Sequence, residues 1–244
     1  PNPIDLYSKI SHRLVNLQVS THLVAESHQI EKQWISVFNE IQKSEFIELS
    51  ENIKPFVSVC LVHYERPHLL QQAIASLINQ TYDNFEVILV DDGSTKEESI
   101  KYLELIQKEF NSKGWKIIRS SNNYLGAARN LAAKFAKGEY LIFMDDDNVA
   151  KPYEIEYFVK AALNSQADIL TTPSDLIFGE EFPAPYRKTT HCWLPLGADL
   201  NVASFSNCFG VANSLVRAST FNAIGGFTED YGIGHEDWEF FANA

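Results

Sequence analysis

The sequence predicts an α/β protein, with a mainly parallel central sheet flanked by helices and an N-terminal helical extension. Three observations predict it. Short apolar runs rich in Val, Ile and Leu recur between Phe56 and Thr172, as expected of strands buried on both faces. Stretches of helical character alternate with them, the pattern of repeated βαβ units. Two of the apolar runs end in clusters of aspartate, and open sheets of this kind bind ligands at the carboxyl ends of their strands.

Residues 4–50 read as helical. Ile30, Trp34, Val37, Phe38 and Ile41 fall at helical spacing, as do Leu6, Ile10, Leu14 and Leu17, with no Gly and no Pro after Pro3. Such an arm either packs on the domain that follows or docks on another domain, a partner or a membrane surface. Pro55 marks a boundary, giving a helical extension over 1–55 and an α/β domain over 56–244. The first strand is 57–62, and Pro67 opens a helix to about Gln80, since proline suits the first helical position. The second strand is 85–90. Ser94-Thr95-Lys96-Glu97 has the form of a capping box starting a helix that ends near Phe110. A third strand (115–119), a third helix (125–137), a fourth strand (140–144), a helix (152–163) and a strand (168–172) follow. Between Gly179 and Leu200, three prolines without a period predict irregular chain that could line a binding surface. The chain begins Pro1-Asn2-Pro3 and stops at Ala244 within a helical pattern. It therefore reads as a piece of a longer polypeptide whose other domains are potential partners.

The net charge of −12 argues against a nucleic-acid partner, which calls for a basic face. It leaves open a phosphate-bearing substrate, because a bound metal reverses the local field. Cys60, Cys192 and Cys208 are odd in number and lack metal-ligand spacing, so they read as buried, reduced thiols of a cytoplasmic protein. No apolar run reaches the roughly 20 residues that span a bilayer, and no signal peptide is visible. A cytoplasmic location is expected, with attachment at the membrane periphery left open.

Asp145-Asp146-Asp147, at the end of the fourth strand, concentrates like charge that a fold tolerates only when water or a cation offsets it. Mg²⁺ and Mn²⁺ favour such oxygens, and Mg²⁺ is typically held by one or two carboxylates together with substrate phosphates. Asp91-Asp92-Gly93-Ser94 taken alone reads as a turn with a helix cap. Beside the triple aspartate, a crevice for nucleotide and metal accounts for both clusters better. No G-x-G-x-x-G follows a strand and no Walker sequence occurs, which disfavours Rossmann dehydrogenases and P-loop enzymes.

Segments 57–66, 90–94, 123–130 and 143–147, then Gly225-Gly226-Phe227 and 234–239, occur in an order that resembles family 2 glycosyltransferases across about residues 56–244. The resemblance implies a GT-A type nucleotide-diphospho-sugar transferase fold. It also implies transfer, with inversion, of a sugar from a nucleotide-diphosphate donor, UDP-linked, to a saccharide or other hydroxyl acceptor, assisted by Mn²⁺ or Mg²⁺. By the same resemblance His63, Tyr64, Arg66, Asp92, Arg129, Asp145 and Asp146 belong to the nucleotide-sugar site: Tyr64 against the nucleobase, Asp92 accepting a hydrogen bond from it, Arg129 near phosphate. Asp145 lies near ribose and metal, Asp147 on the metal, and Asp146 fills the variable middle position. Glu236 and Trp238 fall at the acceptor, with Asp237 as the base. Glu65 stands where Asn is common in the family, and His63 where Thr or another small residue is frequent.

The chemistry of Glu236-Asp237 agrees with that role, because a positioned carboxylate can take the proton of a poorly nucleophilic hydroxyl. A helix N-terminus rich in acids would look the same. His235 is a second metal ligand or a structural imidazole, Trp193 a sugar platform or a packed ring, and Gly232 and Gly234 hinges of a closing loop. Two other classes remain. A sugar-1-phosphate nucleotidyltransferase would carry a Gly-rich, Arg-containing loop after the first strand, unlike His63-Tyr64-Glu65-Arg66-Pro67. A domain that binds nucleotide sugar without transfer would be expected to lose some of Asp145, Asp147 and Asp237.

Overall fold

The computed structural model describes residues 54–179, 191–229 and 234–244. The expected helical arm at 4–50 and residues 180–190 of the expected irregular stretch lie outside the described residues. The chain runs β1 (Val57–His63), α1 (Pro67–Ile78), β2 (Phe85–Asp91), α2 (Glu97–Ser112), β3 (Lys116–Arg119), α3 (Tyr124–Phe135), β4 (Tyr140–Asp145) and α4 (Glu154–Ser165). Then come β5 (Ile169–Thr171), β6 (Ser174–Leu176), β7 (His191–Trp193), α5 (Leu200–Ala203), β8 (Ser214–Arg217), α6 (Ala218–Ile224) and α7 (Glu236–Asn243).

Six strands form one sheet in the order β3-β2-β1-β4-β8-β5, and β6 pairs with β7 in a small separate ladder. β3, β2, β1 and β4 are mutually parallel, while β8 lies antiparallel between β4 and β5. The mainly parallel α/β sheet expected from the sequence is what forms. The insertion of β8 was not legible: four residues behind a stretch rich in Asn and Ser present no usable period. They become a strand because Leu215 and Val216 bury against a sheet already in place.

The strands bury both faces. Val57, Val59, Leu61, Val87, Leu89, Ile142 and Met144 pack against α1, α2 and α4 on one side. Cys60, Val62, Ile88, Val90, Leu141 and Phe143 pack on the other against Ala128 and Ala132 of α3, with Phe221, Phe227, Phe240 and Phe241. At about 25 cal/mol per Å² of apolar surface, each such side chain contributes roughly 1.5–3 kcal/mol when fully buried. Of the three cysteines expected to be buried, Cys60 and Cys208 are, whereas Cys192 in the short β7 strand of the separate ladder is exposed. One helix, α3, is shaped by a close approach. Gly126 of α3 lies against the segment after Gly225-Gly226, where an added Cβ would fall 2.2 Å from the Thr228 carbonyl. Asn130 then holds that segment, donating from Nδ2 to the Phe227 carbonyl at 2.8 Å and accepting the Phe227 N–H at 2.9 Å.

Register sets the site. His63 stands opposite Asp91, and Val62 opposite Asp145, so the residues just after β1, β2 and β4 share one edge. One expected detail is corrected there. The capping box does not form: α2 starts at Glu97 behind Lys96, which makes no side-chain cap bond. The Ser94 hydroxyl instead accepts the N–H of Glu65 at 2.9 Å, and the Glu65 carboxylate reaches across from the β1–α1 loop to cap α2. It accepts the N–H groups of Thr95 and Lys96 rather than those of Ser94 and Glu97 that a box would have served, and the Ser94 N–H goes to Asp91.

Candidate active site

Asp91 and Asp92 close the turn after β2. Asp91 is fully buried, and its carboxylate accepts the N–H of Ser94 at 3.2 Å and Arg119 Nε at 3.2 Å. Asp92 accepts the N–H of Asn123 at 2.9 Å. Burial pushes its carboxyl above the ordinary range, a rise that the Asn123 and Tyr124 N–H groups oppose. Asp92 borders a cleft of about 440 Å³ whose wall includes Ser120, Asn123, Asn130, Lys134 and Glu229. Volumes in this range suit a small organic ligand.

The three aspartates after β4 have three different environments. Both oxygens of Asp145 accept from Arg129 Nη2, at 2.8 and 2.9 Å. Asp146 turns into the protein with its side chain 1% exposed. It meets His63 Nδ1 at 2.7 Å, the N–H of Tyr64 at 3.3 Å, and Arg66 Nη2. Asp147 faces outward, with its side chain 44% exposed and a 2.9 Å contact to Arg66 Nη1. Tyr64 is exposed beside them. His63 Nε2 is buried with no hydrogen-bond partner among the described residues.

Arg129 joins this edge to the last helix. Its guanidinium is 2% exposed and holds Asp145 on one side and Glu236 Oε1, at 2.5 Å, on the other. Burial alone would weaken its charge, and the two carboxylates outweigh that effect and raise its pKa. The ring of Phe227 lies 5.4 Å from the guanidinium carbon. Asp237 follows at the start of α7, accepting the N–H of Trp238 at 2.7 Å. Burial raises its carboxyl above the usual range. The Trp238 N–H opposes the rise, the negative charges of Glu236 and Asp145 add to it, and Arg129 opposes it.

His63, Tyr64, Arg66, Asp92, Arg129, Asp145, Asp146, Asp147, Glu236 and Asp237 therefore occupy one edge of the sheet. Trp238 is anchored by its indole N–H to the Ala203 carbonyl at 3.0 Å. His235 has its ring 5.6 Å from Trp238 in an edge-on contact. Gly232 lies outside the described residues. Three residues that the sequence reading assigned no part also act here: Glu65, Arg119 and Asn130. Their signal was faint, since each works through a partner at least 28 positions away.

Among the described residues no three His, Cys, Asp or Glu side chains come together as a metal cage. Asp145 and Asp147, both partly open, nonetheless fit the hard-oxygen donor set of Mg²⁺ or Mn²⁺, which need only one or two carboxylates when substrate phosphates complete the shell. No helix among the described residues is long and apolar enough to cross a membrane.

The profile of Glycosyl transferase family 2 matches residues 58–225. An uncharacterized glycosyltransferase of Haemophilus influenzae is 34% identical over 149 residues, covering 57% of this chain and 43% of that protein. EpsH of Bacillus subtilis, also named a glycosyltransferase, is 35% identical over 108 residues, covering 44% of this chain and 30% of that protein. The chain thus matches less than half the length of these relatives. Among solved structures, S. aureus TarS 1–349 in complex with UDP-GlcNAc superposes with a TM-score of 0.59 at 24% identity, covering 78% of this chain and 53% of that one. The mannosyltransferase PcManGT of Pyrobaculum calidifontis, in complex with GDP-Man and Mn²⁺, gives 0.57 at 16% identity, covering 88% and 60%. At these identities the structural likeness establishes the fold, which is of the GT-A type.

Proposed function

Because the chain belongs to glycosyl transferase family 2, we propose that it moves a glycosyl group from a nucleoside-diphosphate sugar, UDP-linked, to an acceptor hydroxyl with inversion at the anomeric carbon. The observation that carries this reading is Arg129, which ties the donor-side acid Asp145 to the acceptor-side acid Glu236 in one buried contact. Nucleotide sugars bound to TarS and PcManGT support the donor class. Residues 56–244 form the transferase unit in this reading, and residues 1–55 an extension.

Tyr64 lies against the nucleobase and Asp92 accepts a hydrogen bond from it. Asp145 faces the ribose, kept in orientation by Arg129. Asp146, with its oxygens taken up inside the protein, holds His63, the Tyr64 amide and Arg66 in place and thereby shapes the donor loop. Asp147 and Asp145 would hold Mn²⁺ or Mg²⁺, whose Lewis acidity stabilises the charge of the departing diphosphate. Glu236 and Trp238 orient the acceptor. Asp237 takes the proton of the acceptor hydroxyl as its oxygen bonds to the anomeric carbon, while the bond from that carbon to the phosphate oxygen breaks on the opposite face. A carboxyl raised by burial is a better base than an exposed one, as this step requires.

The test is Asp237→Asn, assayed by nucleotide release from a panel of UDP- and GDP-sugars with Mn²⁺ and candidate saccharides. Turnover should fall about 10²–10⁴-fold with donor affinity retained. The wild-type acid limb should lie above the ordinary carboxylate range, with activity lost as pH falls through it, because only the deprotonated form accepts a proton. Near-normal turnover in the variant would remove Asp237 from the base role. Binding of donors by the wild type without any turnover would favour a nucleotide-sugar-binding scaffold.

A further inference from the structure

We infer that Glu65 is a positioning residue for the nucleotide: its carboxylate latches the loop that carries Tyr64 onto the start of α2, fixing Tyr64 relative to Asp92. The inference rests on the functional reading above, in which Tyr64 and Asp92 meet the nucleobase.

Glu65 has φ +58°, a backbone conformation that Gly and Asn adopt readily and a longer side chain does not. The surrounding contacts hold it there. One carboxylate oxygen accepts the Thr95 N–H at 2.6 Å, the Thr95 hydroxyl at 3.0 Å and the Lys96 N–H at 3.1 Å. The other accepts the same Lys96 N–H at 3.1 Å and the Ser99 hydroxyl at 3.2 Å. The amide of Glu65 donates to Ser94 Oγ, and Ser94 in turn donates from its N–H to Asp91. One step earlier, the Asp92 N–H donates to the His63 carbonyl at 2.9 Å. Tyr64 is thus bracketed, with His63 tied to the Asp92 turn on one side and Glu65 to α2 on the other.

Gly93 is the residue that the turn before α2 accepts. Its φ is +80°, and an added Cβ would fall 2.5 Å from the backbone nitrogen of Asn122. The turn before α2 is therefore packed closely on the backbone of Ser121 and Asn122, and the Glu65 carboxylate fastens the β1–α1 loop beside it. Asn at position 65 would suit the backbone better, but it is one methylene shorter and offers a single acceptor oxygen. It could not take the four donors that Glu65 takes. The longer, less comfortable residue makes sense if its reach is what matters.

The experiment uses the full chain with Mn²⁺ and compares the affinity for UDP with that for inorganic pyrophosphate, alongside thermal unfolding. Glu65→Ala should weaken UDP binding about tenfold, as expected if the loop is then competent only a tenth of the time, while pyrophosphate affinity and turnover at saturating donor stay near wild type. Glu65→Asn should weaken UDP binding like the alanine variant although it relieves the backbone. Glu65→Gln, which keeps the reach and one acceptor oxygen, should fall between alanine and wild type. Unchanged UDP affinity in Glu65→Ala, with or without a lower unfolding temperature, would overturn the inference and leave the functional reading intact. Equal losses for UDP and pyrophosphate would overturn it too, by showing general damage to the site. Failure of the wild-type chain to bind UDP or GDP at all would bring down both readings.

Discussion

The two aspartate clusters on the ligand edge look alike in sequence and differ in how their charge is compensated. Asp91 and Asp92, after β2, are buried; backbone N–H groups of Ser94 and Asn123 serve both, and Arg119 serves Asp91. Fixed dipoles of this kind cannot leave. Asp145 and Asp147, after β4, are partly open and face the guanidinium groups of Arg129 and Arg66. A side-chain cation can yield to another cation, and a backbone amide cannot. The first cluster is therefore held mainly by its own backbone and the second by side-chain cations alone, and under the proposed function the second is where a metal would take a place among them.

The largest expected break in this comparison is Asp147→Ala. Metal-dependent turnover should fall by at least about 10²-fold, with the Mn²⁺ dependence of donor binding gone and the fold retained. Full metal-dependent activity in that variant, measured by nucleotide release over a Mn²⁺ titration, would show that the β4 cluster is no more exchangeable than the β2 cluster.

Asp92→Ala should act differently. Donor affinity should fall by about tenfold while turnover at saturating donor stays near wild type, because a nucleobase contact is made equally in ground and transition states. Calorimetry with UDP reads this directly, and unchanged affinity would return Asp92 to a turn residue alone.

Asp91→Asn should spare metal dependence and cost stability instead, by about 1–3 kcal/mol, since it removes the charge that Arg119 meets and turns an amide toward it. Urea unfolding measures the loss. A shift in Mn²⁺ affinity without a stability change would contradict the division between the clusters.

Glu154 sharpens the contrast with the smallest effect. At the start of α4 it accepts the Lys151 N–H at 3.2 Å. Burial, opposed by that N–H and by the side chain of Asn213, still pushes its carboxyl up to about 7. The folded state binds this proton more tightly than the unfolded chain does, so stability contributed by the group is present at low pH. It is lost as pH rises from the ordinary carboxylate value to about 7. Glu154→Gln should therefore be stabilising by roughly 1–2 kcal/mol at pH 8 and close to neutral near pH 4. Equal unfolding temperatures for variant and wild type at pH 8 would mean that local dipoles compensate Glu154 as fully as they do Asp91.

Much of this was legible in the sequence because it rests on local regularities. Apolar runs such as 57–62 and 85–90 bury on both faces wherever a parallel sheet forms, and Pro67 marks a helix start by its own ring. The parallel order then obliges residues after β1, β2 and β4 to share an edge, so the aspartates could be brought together before any coordinates. Asp146 illustrates the limit. Its neighbours in sequence face outward or toward Arg129, and nothing local says that it turns inward to His63, 83 positions away.

Tertiary structure alone decided the rest, in each case because the partner is distant along the chain. β8 becomes a strand only by pairing with Tyr140–Ile142. The cap of α2 comes from Glu65, about 30 residues upstream, and it displaces the Ser94 box that the local sequence advertised. Arg129 reaches Glu236 across 107 positions. Side-chain periodicity and turn chemistry operate within one or two helical turns, and so the sequence by itself determined β1–β5, α1–α4 and the edge that the strand ends share. Which carboxylate meets which cation depends on the burial and register that arise only when those elements pack, and that pairing is what gives each aspartate its own environment.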